Sequence, residues 1–60
     1  MGQIIVGDKV TLRHKLGAWG VVENLNNSTV PSLTSFDVRY DDDEVETGMT
    51  LANIEEHQPQ

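Results

Sequence analysis

Apolar and polar residues alternate along much of this 60-residue chain. A period of two places successive side chains on opposite faces of a strand. The clearest stretch is 36–40, where Phe36, Val38 and Tyr40 interleave with Asp37 and Arg39. Four consecutive acids, Asp41, Asp42, Asp43 and Glu44, interrupt it, and alternation resumes with Val45 between Glu44 and Glu46. The pattern predicts strand, acidic turn, strand. That hairpin joins two of the chain's three aromatics to its densest negative charge.

The same reading applied to the rest predicts five short strands in all. Residues 1–6 are mostly apolar and form an edge strand or a loosely held arm. Gly7 and Asp8 carry turn chemistry, because glycine takes positive φ freely and Asp bonds neighbouring backbone. Residues 8–13 alternate with Val10 and Leu12 inward. Residues 14–17 leave that alternation and end at a glycine, which predicts a turn. Residues 18–25 form the next strand, with Gly20 marking a bulge or a close backbone approach beside Trp19, whose indole covers the backbone. The polar, proline-containing stretch 26–34 reads as an exposed loop. Thr50 caps one helical turn over 51–53, which leads into a last strand around Ile54. Residues 57–60 read as a polar, frayed tail. The expected core is Ile4 or Ile5, Val6, Val10, Leu12, Val21 or Val22, Leu25, Phe36, Val38, Val45, Leu51 and Ile54.

Length and composition narrow what such a sheet can do. Sixty residues make one domain, 1–60, and a chain this short buries only about 60% of the surface its unfolded state exposes. Without cysteine there is no disulfide and no thiolate metal site. The core is too small to surround a roomy substrate cavity. His14 and His57 are the only imidazoles and lie far apart in sequence. No nucleophile elbow, zinc spacing or EF-hand loop is present, so neither an enzyme nor a cofactor or metal protein is expected. No apolar run approaches the roughly 20 residues of a membrane span, and the N-terminus lacks the order of a signal peptide. The chain reads as soluble, and cytoplasmic or otherwise intracellular.

Ten acids against four Lys and Arg give a net charge of −6. Such a field repels nucleic acid and anionic membrane and attracts cationic partners. The same charge also serves simply to keep a small domain in solution.

The order of these elements describes a small all-β, SH3-like barrel, and particular residues carry the likeness further. Gly7, Asp8, Lys9 and Val10, followed by the run from Gly17 through Ala18, Trp19, Gly20 and Val21 to Val22, resemble the opening of KOW and Tudor-like domains. Phe36, Asp37, Val38, Arg39, Tyr40, Asp41 and Asp42, with Glu46 and then Asn53, Ile54 and Glu55, resemble the second half of a Tudor domain. The resemblance covers residues 7–55. It implies a five-stranded SH3-like barrel with a short helical turn before the last strand. It also implies a cation site at one barrel end, where aromatic rings hold methylated lysine or arginine. On this chain Trp19 falls at the strand-two position of that site and Tyr40 at the strand-three position. His14 stands where a first-loop aromatic is expected, and Val45 and Thr47 where another ring often lies.

Each candidate residue has a plainer reading beside the functional one. Trp19 is either a binding anchor or a ring plugging a barrel end. Tyr40 closes its strand and needs a polar partner for its hydroxyl. Asp41, Asp42, Asp43 and Glu44 either collect a Lys or Arg from a partner or form a solvated hairpin tip that discourages edge-to-edge pairing. The leading expectation is a non-enzymatic protein–protein interaction module that binds a basic segment through Trp19, Tyr40, Asp41, Asp42, Asp43, Glu44 and His14. The alternatives are a KOW-like domain binding RNA through Lys9, Arg13 and Lys15, or a small accessory subunit or inhibitor. Such a subunit would resemble the barrels of photosynthetic complexes or act as an acidic nucleic-acid mimic.

Overall fold

A computed structural model describes residues 4–59. They form five antiparallel strands in one sheet: β1 (Lys9–Leu12), β2 (Lys15–Asn26), β3 (Ser35–Tyr40), β4 (Val45–Thr50) and β5 (Ile54–Gln58). The spatial order is β4-β3-β2-β1-β5, so each strand from β1 to β4 pairs with the next, and β5 returns to the free edge of β1. The sheet is open, with β4 and β5 at its edges. The all-β expectation therefore holds as five strands in a single sheet, and the sheet does not close into a barrel.

One face of this sheet carries the core. Ile4, Val10, Leu12, Val22, Phe36, Val38 and Tyr40 are buried, and Ala18, Leu25, Met49, Leu51 and Ile54 pack against them. In β3 the inward set is Phe36, Val38 and Tyr40, as period-two alternation requires. In β2 the inward set changes parity. Ala18, Gly20 and Val22 face the core, then Asn24 takes φ 50° and the pairing with β3 slips between Glu23 and Asn26. This bulge lets Leu25, an odd position, turn inward after the even ones.

Two expected core positions lie outside. Val45 is 40% exposed because it pairs with Arg39 on the outer face of the sheet. Val6 is 56% exposed because it sits in the turn that precedes β1. Ile4 is buried and Ile5 exposed, and neither belongs to a strand. Residues 1–3 of the expected edge strand or arm fall outside the described residues, as does Gln60.

Three boundaries also differ from the sequence pattern. The expected turn at 14–17 is shorter, because Leu12 pairs directly with Lys15 and only Arg13 and His14 connect the strands. Gly17, at φ 82°, lies within β2. The loop 26–34 contains a 3-10 turn, Pro31–Leu33, tied by the Ser28 amide donating to Thr34 Oγ1 at 3.2 Å. His57 and Gln58, read as tail, complete β5 opposite Val10 and Lys9.

The turn before β5 forms as expected. It is a 3-10 turn, Leu51–Asn53. The capping runs from its far end: the Thr50 amide and hydroxyl both donate to Asn53 Oδ1, at 2.9 and 3.0 Å. The Asn53 carbonyl then accepts from the Arg13 amide at 2.8 Å, which fixes the β1–β2 turn against the entry to β5.

Candidate functional site

Gly20 is the point from which the site is laid out. It pairs with Val10 on one side and with Tyr40 on the other. A methyl group at Gly20 would collide with Val38 Cγ1 and come within 3.1 Å of Tyr40 Cδ1. The missing side chain lets β2 and β3 approach closely, and the Tyr40 ring occupies the space. The expected close approach is there, made by the β3 side chains.

Because Gly20 and Tyr40 are paired, their side-chain directions point to the same face, and Tyr40 is only 5% exposed. Trp19, one residue earlier, points to the opposite face, where it is 39% exposed. The two aromatics therefore do not form one platform. Trp19 belongs to the outer face, one residue beyond the Gly20–Tyr40 pair and beside the start of the acidic turn.

The inner corner is built around Tyr40. Its hydroxyl donates to Glu46 Oε1 at 2.5 Å. His14 Nε2 lies 2.8 Å and 3.0 Å from the two oxygens of the same carboxylate. The Lys15 ammonium donates to Glu44 Oε1 at 3.1 Å and sits 3.9 Å from the Tyr40 ring centroid. His14 and Lys15 thus bridge from the start of β2 across β3 to β4 and its turn, strands that are not neighbours in the sheet.

These contacts shift two groups. Burial, helped by the Glu46 hydrogen bond, pushes the Tyr40 phenol well above its ordinary value. The Tyr40 and His14 contacts hold the Glu46 carboxyl below the usual carboxylate range. The corner therefore keeps a neutral phenol and an ionised carboxylate over a wide pH span.

The acidic turn itself faces solvent. The Asp43 amide donates to the Tyr40 carbonyl at 3.0 Å, and Asp42 Oδ1 accepts from the Glu44 amide at 3.1 Å. Asp43 takes φ 66°, which Asp tolerates better than most residues. Asp43 lies 3.9 Å from Arg39, and Glu44 is held by Lys15. Among the described residues, no basic side chain lies within 4 Å of Asp41 or Asp42.

Each of the three cations named for RNA has its own surroundings. Lys15 is engaged at the inner corner, Arg13 lies 4.0 Å from Glu55, and Lys9 lines an open groove of about 220 Å³ with Gly7, Gln58 and Pro59. Among the described residues, no group of three or more His, Asp or Glu side chains is arranged to hold a metal ion. Among the described residues, no helix is long and apolar enough to cross a membrane.

Sequence reasoning missed Lys15 and Glu46 as members of the corner. Lys15 meets Glu44 across 29 positions and His14 meets Glu46 across 32, separations that leave no local pattern. It also missed the pairing of His57 Nε2 with the buried Asp8 Oδ2 at 2.9 Å, across 49 positions.

Compared with protein-family models, curated proteins and solved structures, the chain matches none.

Proposed function

We propose that this chain is a non-enzymatic interaction module whose open five-stranded sheet is a variant of the SH3-like, Tudor/KOW type of fold, and that it binds a basic segment of a partner protein. The strand order, with a single 3-10 turn before the last strand, supports that kind of fold. The observation that carries the binding reading is a half-exposed Trp19, one residue beyond the Gly20–Tyr40 pair on β2, with the acidic turn starting one residue beyond that pair on β3. There, among the described residues, no basic side chain lies within 4 Å of Asp41 or Asp42. A cation over an indole face contributes about 0.5–1 kcal/mol at an exposed site. Charge-assisted hydrogen bonds to the solvent-facing carboxylates add to it and fix orientation. Asp43 and Glu44 add field, while Tyr40 and His14 shape the inner side of the same turn.

Calorimetric titration with a Lys/Arg-rich peptide, with and without lysine methylation, tests this reading. Binding is expected to weaken with added salt, and to weaken further when Asp41 and Asp42 are both changed to Asn. Heats indistinguishable from dilution for both peptides at low salt would refute it.

A further inference from the structure

We infer that Lys15 is a built-in stopper on a second, inner cation subsite formed by Tyr40, Glu44 and Glu46, and that a partner's lysine or arginine reaches this subsite by displacing it. The inference rests on the reading of the acidic turn as a surface for basic segments, and goes beyond it by naming what regulates the corner.

An ammonium ion is recognised by two things together: the negative face of an aromatic ring and a carboxylate that accepts its hydrogen bond. Both are present here, and both are already engaged by the chain's own Lys15. Its Nζ lies 3.9 Å from the Tyr40 centroid and 3.1 Å from Glu44 Oε1. Tyr40 is buried in a corner where Lys15 lies over its ring. Glu46 fixes the phenol from the far side and is itself held by His14. The corner is thus shaped for a cation independently of where that cation comes from.

Lys15 is held loosely enough to leave. Its Glu44 partner has a side chain 63% exposed, and an exposed ion pair is weak. Its flexible four-carbon stem can swing the ammonium into water without moving β2. A tethered competitor of this kind lowers the affinity for an incoming cation by roughly tenfold, the combined size of one exposed ion pair and one cation–π contact.

The test compares the unaltered chain with Lys15→Gln and Lys15→Arg, titrated with the same unmethylated Lys-rich peptide. Trp19 fluorescence reports the outer surface and Tyr40 ring resonances report the inner corner. Lys15→Gln is expected to bind about tenfold more tightly, with the Tyr40 ring signals shifting on saturation. Lys15→Arg, which keeps a cation over the ring, is expected to bind like the unaltered chain. Equal or weaker binding by Lys15→Gln, with Trp19 still responding, overturns the stopper and leaves the outer-surface reading intact. No binding by any of the three proteins overturns both. Ring resonances of free Lys15→Gln that coincide with those of the unaltered chain would show that Lys15 does not cover Tyr40, and would also overturn it.

Discussion

The Tyr40 hydroxyl donates to Glu46 Oε1 at 2.5 Å, and the ring that carries it is 5% exposed. This one contact ties the last inward position of β3 to β4 across the acidic turn. It makes a buried phenol and a half-buried carboxylate depend on each other. Tyr40 is the chain's only tyrosine, so its titration can be followed without ambiguity. Its folded pKa is raised, first by burial and then by the hydrogen bond to Glu46. The stability this gives is fully present below the ordinary phenol value of about 10 and is lost as pH rises toward the folded value. Tyrosinate absorbance should therefore stay absent near pH ~10 and appear only together with loss of far-UV structure. A free-tyrosine titration curve in the folded protein would contradict the contact.

Glu46 gives the opposite limb. Its folded pKa is depressed, first by the Tyr40 hydrogen bond and then by His14. The stability it contributes is present above the ordinary carboxylate value of about 4.3 and is lost as pH falls through the lower folded value. Glu46→Gln keeps an acceptor for Tyr40 but has no such proton linkage. Urea midpoints measured from neutral to acid pH should fall less steeply in that variant. Identical acid limbs would show that Glu46 is not the group linked to acid unfolding.

Gly20 is kept free of a side chain by the approach of β3. Alanine there drives Cβ into Val38 Cγ1 and to 3.2 Å from the Arg39 carbonyl, atoms that cannot swing away. Overpacking of this kind costs about 1–3 kcal/mol. That is a large share of the roughly 3–9 kcal/mol available to a domain of this length. Denaturant unfolding of Gly20→Ala should show such a loss; a change within about 0.5 kcal/mol, the usual size at an unconstrained surface site, would mean the strands can separate freely.

Asp8 joins the two ends of the described chain. Only 2% exposed, its Oδ2 accepts from the Ile5 amide at 3.0 Å and lies 2.9 Å from His57 Nε2. Asp8→Ala leaves both partners without it, at a cost of about 1–3 kcal/mol. The loss should be visible as faster hydrogen exchange at Ile5 and along β5 before the rest of the sheet opens. Uniform protection across the sheet in the variant would contradict that local role.

The strands were legible because their signal is local. Phe36, Val38 and Tyr40 face inward as their alternation predicts, and Thr50 with Asn53 marks the 3-10 turn within four residues. Legibility failed wherever a distant partner decided the outcome. Val45 alternates like a core residue, yet its pairing with Arg39 puts it outside. His57 looks like tail chemistry, yet a buried carboxylate 49 positions away holds it in β5. That an aromatic and acids adjoin at residues 40–44 is plain from the chain itself. The separation of Trp19 and Tyr40 onto opposite faces follows from the pairing of Gly20 with Tyr40, which no single strand encodes.

In the proposed binding mode, the outer surface beside the acidic turn receives a basic segment. Amide shifts across the whole chain, recorded while a Lys/Arg-rich peptide is added, test it most directly. Saturable shifts are expected, centred on Trp19, Asp41 and Asp42, with smaller ones at Tyr40 and Lys15. Unchanged amides at those positions, or shifts confined to the groove lined by Gly7, Lys9 and Gln58, would contradict it.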